Sequence, residues 1–165
     1  MLRQTPSPSK PKPQPRRGAA VVEFAIVLPL FMTLTFASIE AGHALSVVQK
    51  LESVVREGGR MASKDVPTAL LDGLTPNQKV THDIQNMLKA DGFPAANIVV
   101  AIVHADGATA GQTFDLALKA NQYKLMRITV TIPYADVSML PWSIDQSAVL
   151  RASLVTSRGR SSLNH

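Results

Sequence analysis

The residues most able to do chemistry stand where an apolar stretch begins. Arg16 and Arg17 precede Gly18, and a lone carboxylate, Glu23, follows after four apolar residues that begin with Ala19. An ionisable group inside a membrane helix costs on the order of 2.5 to 3.5 kcal/mol, so it normally has a function and a partner. A cut after Gly18 would create an α-amine that a neighbouring, axially shifted copy could bring to this carboxylate. The alternative is a carboxylate that is protonated or reaches the aqueous edge.

The apolar stretch from residue 19 to residue 39 has the length of a membrane-spanning helix. As a helix it would measure roughly 31 Å, close to the thickness of the hydrocarbon core of a bilayer. A secretory signal has a similar layout, but its apolar region is typically about 7 to 15 residues long. This stretch is longer and continues into further helical pattern. Residues 19–39 are therefore predicted to be a retained transmembrane helix, with a modest kink at Pro29.

The excess positive charge of the chain lies entirely before this helix. Of 17 basic residues, five precede residue 18, and no acidic residue precedes Glu23, so the remainder carries 12 basic and 12 acidic residues. By the positive-inside rule the N terminus is cytoplasmic and the C-terminal part lies outside. A nucleic-acid-binding function is disfavoured, because the folded part has no net positive charge to bind a polyanion. Lipid is the expected partner.

Residues 1–18 form a basic, proline-rich leader that is predicted to be disordered and cytoplasmic. Its five prolines alternate with serine, glutamine and basic residues, a composition that cannot bury a core. A PxxP-like contact with a partner domain is an alternative use of the same spacing. The chain contains no cysteine, so the fold must be held by packing without disulfides.

Residues 40–65 are predicted to continue the helix as an amphipathic segment. Apolar residues recur at helical spacing on one wide face, and charged residues lie off it. The helix is expected to fray or end between Gly58-Gly59 and Lys64, because each glycine costs about 1 kcal/mol relative to alanine and Pro67 forbids continuation. The members of the apolar face are Ala44, Val47, Val48, Leu51, Val54, Val55, Met61 and Ala62.

Residues 66–165 are predicted to fold as a small α+β domain outside the membrane. Thr75-Pro76-Asn77-Gln78 has the pattern of a capping box that opens a helix, and Asp91-Gly92 closes that helix. Alternating or β-branched runs at 98–103, 114–118 and 126–132 predict strands, and 150–154 suggests a last one. A turn over 106–111 joins the first two, and a loop surrounds Pro141-Trp142. The long helix would pack on this antiparallel sheet.

No group of residues has the spacing of a catalytic or metal site. His43, His82, His104 and His165 fall in different predicted elements and lack metal-ligand spacing. There is no GxSxG elbow, Walker loop or GxGxxG motif. The chain is therefore expected not to be an enzyme and to need no metal or cofactor. Tyr134 and Trp142, beside prolines, could form a contact patch or reach a lipid interface, although an anchor that closes the sheet is the more frequent outcome.

The run Arg17-Gly18-Ala19-Ala20-Val21-Val22-Glu23 resembles the processing signal of type IV pilins, in which glycine precedes the cut and glutamate is the fifth residue after it. With its continuation to Leu30, it is similar to the TadE/TadG-like proteins of the tight adherence (Flp pilus) system. Three later segments are also similar to that family's pattern, namely residues 39–43, 55–62 and 127–134.

The resemblance implies a pilin-like fold and a minor pseudopilin of the TadE-like type, which acts in pilus initiation, priming or a tip complex. A prepilin peptidase would cut between Gly18 and Ala19, and Glu23, Arg16 and Arg17 would serve recognition or assembly. The implied partners are this peptidase, other minor pseudopilins, the major Flp pilin and the assembly platform of the bacterial inner membrane. The protein would be single-pass with a periplasmic domain, or part of the extracellular pilus. An uncleaved, membrane-anchored binding module is the alternative.

Overall fold

The computed structural model describes residues 17–64, 73–139 and 147–159. A long N-terminal helix, a shorter second helix and a three-stranded antiparallel sheet confirm the predicted α+β class. The chain divides into two compact units, residues 1–38 and 39–165. In order, the main elements are α1 (Arg17–Ser63), α2 (Pro76–Ala90), β1 (Val99–His104), β2 (Leu125–Pro133) and β3 (Val149–Ser157).

The described part of the first unit is the apolar end of α1, in which every residue from 18 to 38 is exposed. Its mean hydropathy reaches 2.1, and by length and composition α1 can cross a membrane. Three side-chain hydroxyls donate to backbone carbonyls four residues earlier, so their hydrogen-bonding needs are met within the helix itself. These bonds join Thr33 to Pro29, Thr35 to Phe31 and Ser38 to Leu34.

The second unit begins with the amphipathic part of α1, where the predicted apolar face is buried. Leu51 and Val55 are completely inaccessible, and Val47, Val54 and Ala62 are buried beside them. The remaining members of the predicted face are half-buried. Because apolar residues three and four apart lie on the same side of a helix, this spacing turns one continuous stripe toward the core.

The Gly58-Gly59 pair lies inside α1, which ends within the range that the sequence predicts. The helix continues to Ser63, and both glycines are buried. A Cβ atom at Gly58 would lie 2.5 Å from Cδ1 of Ile84 in α2, and one at Gly59 would collide with Leu154 of β3. Gly58 and Gly59 therefore allow α2 and β3 to approach the helix backbone, and tight packing outweighs the low helix propensity of glycine.

The second helix begins and ends as the sequence predicts. The Thr75 hydroxyl accepts a hydrogen bond from the backbone N–H of Gln78, and the Gln78 side chain accepts one from the backbone N–H of Thr75. This reciprocal pair satisfies two N–H groups that the first turn leaves unbonded. At the other end Gly92 has φ of +88°, a conformation that favours glycine. The stripe Val80, Ile84 and Leu88 is buried.

The sheet has β2 in the centre, with β1 and β3 antiparallel on either side. Ile128 of β2 stands opposite Ile102 of β1 and Leu154 of β3. Alternate residues of β2 are fully buried and supply the middle of the core, while their neighbours face outward, as the strand period of two requires. The buried residues of β2 are Met126, Ile128, Val130 and Ile132.

The strand predicted at 114–118 does not form among the described residues, where one isolated bridge, Val103 to Thr113, joins this segment to β1. The amide of Asn77 in α2 binds the segment instead. Its Nδ2 donates to the carbonyl oxygen of Phe114 at 2.6 Å, and its Oδ1 accepts from the N–H of Leu116 at 2.8 Å. The N–H of Phe114 still donates to the carbonyl oxygen of Ile102 in β1 at 3.0 Å, but beyond it the Asn77 side chain takes the place of a neighbouring strand, and the prediction of a strand over 114–118 was wrong.

Some predicted features lie outside the described residues. They are the leader up to residue 16, Pro67, the loop around Pro141-Trp142 and His165. The boundaries proposed for the leader, the membrane span, the amphipathic segment and the outer domain stay predictions.

Candidate functional site

The predicted processing junction lies at the first turns of α1. The helix begins at Arg17, Gly18 and Ala19 follow in its first turn, and Glu23 stands one turn further on. Ala19 and Glu23 are four residues apart, which places them on one face of the helix. From residue 18 onward these residues are exposed, and Arg16 lies outside the described residues. The junction is therefore accessible from solvent, lipid or a protein partner.

The fold does not require a glycine at position 18. A Cβ atom there would meet no other atom within 4 Å, and its backbone is not among those with positive φ. Gly42, in the same helix, is equally open. Glycine is up to about 1 kcal/mol less favourable than alanine for helix stability. Glycine at position 18 therefore does not stabilise the described part of the chain. A requirement for glycine here must come from a contact with another molecule.

A second cluster, which sequence reasoning missed, lies where the second unit begins. Glu40 is only 8% exposed, and its Oε1 accepts hydrogen bonds from the Tyr134 hydroxyl and from Ser138 Oγ, the latter at 2.7 Å. One turn along, His43 Nε2 lies 2.8 Å from the carbonyl oxygen of Val137. Because residues three apart share a helix face, Glu40 and His43 together hold the short segment 134–138 against α1.

The electrostatics of this cluster favour a charged Glu40 beside a neutral Tyr134. The hydrogen bond from the Tyr134 hydroxyl lowers the pKa of Glu40, burial opposes this effect, and Ser138, the Met139 backbone and His43 add to the lowering. The same bond is the main cause of a raised pKa for Tyr134. Oε2 of Glu40 is buried and accepts no hydrogen bond from a described residue. The carboxylate is thus held mainly through one oxygen.

Two grooves flank the amphipathic part of α1 in the part of the chain that the structure describes. The larger, of about 730 Å³, lies between α1 and α2, and the smaller, of about 420 Å³, lies between α1 and β3. Their charged residues include the exposed pair Glu52 and Arg56, 3.7 Å apart, which contributes at most about 1 kcal/mol. Among the described ranges, no cluster of three His, Asp or Glu side chains could hold a metal ion.

Comparison with protein families matches the helix that carries the processing junction and that contributes Glu40 and His43 to the second cluster. The family model described as TadE-like protein matches residues 18–60. The chain carries a TadE-like segment. The match begins at Gly18 and includes Glu23, Glu40 and His43, and over these residues it confirms the resemblance; the segment 127–134 lies outside the match. No match was found among curated proteins or solved structures.

The TadE-like segment covers about a quarter of the chain and coincides with most of α1. It includes the apolar end of the helix, which fits a single-pass membrane anchor, and the Gly58-Gly59 pair. The partners of these residues, on α2, the sheet and the 134–138 segment, lie beyond the match. The TadE-like segment therefore supplies the helix, and the rest of the chain supplies what packs on its second half.

The hydrogen bond from the Tyr134 hydroxyl to Glu40 of the TadE-like segment is expected to stabilise the folded protein. Replacing Tyr134 with phenylalanine removes only the hydroxyl, and we expect a loss of about 1.5 to 3 kcal/mol at pH 7, the range for hydrogen bonds to charged groups. Because the bond lowers the pKa of Glu40, its contribution is present above the unfolded value of about 4.5 and disappears as the pH falls through the lower folded value.

Denaturant unfolding of the full-length protein in detergent at pH 7 and pH 3 measures this effect. The matched control is Tyr123→Phe, which removes a hydroxyl from a side chain that is 63% exposed. Equal stability losses for the two variants at pH 7 would contradict the role assigned to Tyr134.

Proposed function

We propose that this protein is a minor pseudopilin of a Tad (Flp) pilus, inserted with its N terminus in the cytoplasm and cut by a prepilin peptidase between Gly18 and Ala19. The TadE-like match supports an association with Tad pilus components. The proposal of cleavage rests on Gly18, a glycine that the fold does not need and that lies five residues before the exposed Glu23.

Processing would change the chemistry of the first helical turn. Hydrolysis of the peptide bond after Gly18 leaves an α-ammonium group on Ala19, on the same helix face as the Glu23 carboxylate. Both charges are poorly solvated in lipid, and each would be neutralised if subunits packed with an axial shift that brings the amine of one copy to the carboxylate of the next. The pair would set the register between neighbouring helices.

The remainder of the chain would serve as a structural part of the assembly. The excess of positive charge before residue 18 favours a cytoplasmic N terminus, which puts residues 40–165 in the periplasm. There the domain would contact other minor pseudopilins, the major Flp pilin and the assembly platform, in initiation, priming or a tip complex. In this role the protein needs no enzymatic activity of its own.

An uncleaved, membrane-anchored binding module is the second candidate. Two observations favour it. Many pilins have an aromatic residue or methionine directly after the cut, where this chain has Ala19. In addition, α1 already begins at Arg17, so the bond after Gly18 lies within regular helix. A peptidase that binds extended substrate would first have to unwind this turn.

N-terminal sequencing and intact-mass measurement, applied to protein from membranes and from sheared pili, test processing and location together. We expect a mature chain that begins at Ala19 in both fractions. An intact N terminus in assembled pili would overturn cleavage and leave the anchored module.

Replacing Glu23 with glutamine separates the two candidates further. We expect the variant to be cut normally yet to enter pili poorly, because the neutral side chain cannot pair with an α-amine. The matched control is Glu52→Gln, which alters an exposed carboxylate in the same helix. Immunoblots of sheared pili provide the readout. Incorporation of the Glu23 variant at the wild-type level would favour the uncleaved module.

A further inference from the structure

We propose that the segment from Val137 to Met139 rests on the membrane that α1 crosses, with the Met139 side chain inserted into the interfacial layer. The inference rests on the anchor at residues 19–39 in the proposed function, and adds a second membrane contact, made by the outer domain. The partner is the lipid surface.

The position of the segment follows from covalent geometry and one hydrogen bond. Glu40 is the first residue after the span, and consecutive Cα atoms are about 3.8 Å apart. Ser138 Oγ lies 2.7 Å from Oε1 of Glu40. Adding the length of one glutamate side chain places Ser138 Oγ within about 11 Å of the edge of the span, whatever the tilt of the helix. The polar layer of a bilayer is about 5 to 8 Å deep on each side.

The side chains at this position suit a lipid surface. Met139 is 60% exposed, and Ile39, at the end of the span, is 54% exposed. Residues 137–139 include no charged side chain. The acidic residue directly before the segment, Asp136, accepts a hydrogen bond of 2.8 Å from the Asn97 side chain. A flexible apolar side chain is thus exposed beside the membrane without a charge on the same three residues to oppose its insertion.

Backbone groups of the segment are already hydrogen-bonded within the protein, as a poorly hydrated environment requires. The N–H groups of Val137 and Ser138 both donate to the carbonyl oxygen of Tyr134, at 3.0 and 2.9 Å. The carbonyl of Val137 is bonded to His43. Because an unbonded backbone group is costly near the hydrocarbon layer, these internal bonds remove a main obstacle to insertion.

The Glu40 and His43 bonds fix the segment on the helix before any lipid is met. Three side-chain bonds, from Tyr134 and Ser138 to Glu40 and between His43 and Val137, attach it within one helical turn of the membrane edge. A segment held in this way loses little additional conformational freedom when it binds. The role of the buried Glu40 is therefore to position the Met139 side chain.

Single-cysteine labelling tests the proposal directly, because the natural chain contains no cysteine. An environment-sensitive fluorophore is attached to Met139→Cys in the full-length protein, reconstituted into vesicles of phosphatidylethanolamine and phosphatidylglycerol. Quenching is measured with lipids brominated on the acyl chain and with aqueous iodide. Phe31→Cys, inside the span, is the positive reference.

Val155→Cys is the matched control, since this residue is apolar and 48% exposed but lies at the other end of the domain. Its neighbour Thr156 bonds to Ser63, more than 20 residues along α1 from Glu40 or about 35 Å of helix. We expect bromolipid quenching at position 139 to exceed that at position 155 at least threefold, with weaker quenching by iodide.

Equal quenching at positions 139 and 155, with position 31 quenched by bromolipid, would overturn the proposal and leave the anchor intact. A label at position 139 that is shielded from both quenchers would also overturn it, in favour of a protein contact. Absence of bromolipid quenching at position 31 would overturn the anchor itself, and this inference with it.

Discussion

Replacing Gly18 with alanine is expected to leave the N-terminal leader attached. When the protein is produced together with its own prepilin peptidase, the wild-type chain should lose 18 residues, and the variant should keep them. A Cβ at this position touches nothing within 4 Å in the folded chain, so the substitution introduces no clash within the fold. A loss of processing that Gly42→Ala does not share would therefore reflect a steric requirement of the peptidase. Gel mobility and intact-mass measurement provide the readout.

Gly42→Ala is the control for this experiment, because Gly42 lies in the same helix and is equally open. Gly42 lies in the helix interior, where alanine favours helix by up to about 1 kcal/mol, so the control carries an effect of helix propensity at least as large as that in the first turn at Gly18. The control should be processed like the wild-type protein. Normal cutting of the Gly18 variant would contradict the proposed processing site, and failure of both variants would point to helix stiffness as the cause.

Replacing Phe114 with alanine is expected to destabilise the outer domain by about 3 to 5 kcal/mol. The Phe114 side chain is fully buried, and its ring packs against that of His104 with centroids 4.7 Å apart and planes inclined at 53°. Removing the ring leaves a cavity that the backbone is not free to fill, since the Asn77 amide holds the carbonyl of Phe114 and the N–H of Leu116 in place.

Denaturant unfolding of the full-length protein in detergent measures this loss. Leu118→Ala is the control from the same segment, where the side chain is 53% exposed and the expected change is under about 0.5 kcal/mol. A loss below about 1 kcal/mol for the Phe114 variant would show that this residue is not part of a tightly packed core.

The sequence predicted features that depend on neighbours along the chain. The capping box at Thr75 and Gln78 involves residues three apart, and the stripe of α2 follows from helical spacing. In the segment after β1, the alternation of Phe114, Leu116 and Leu118 predicted one apolar face, of which the first two residues are buried and Leu118 is 53% exposed. It did not predict that the backbone there would bond to Asn77, because a side-chain amide that replaces a strand leaves no periodic pattern.

In the candidate sites too, the sequence predicted contacts between residues close along the chain and missed those between distant ones. The junction from Gly18 to Glu23 lies within six consecutive residues, so its spacing was visible in the sequence. The Glu40 cluster joins residues 94 apart, and no spacing rule connects Glu40 to Tyr134. The Gly58-Gly59 pair was interpreted through helix propensity alone, because the close approach of Ile84 and Leu154 appears only once the elements are packed.

The Asn77 amide also affects how copies of the protein would interact when they are crowded in a membrane. The Phe114 to Leu116 segment follows the bridge from Thr113 to Val103 of β1, and backbone groups left unbonded there would offer an open edge to another chain. Such edges lead to aggregation through strand pairing between copies. By occupying the carbonyl of Phe114 and the N–H of Leu116, Asn77 makes these two groups unavailable to a neighbouring chain. Copies could then gather at high local density while the contacts between them remain selective.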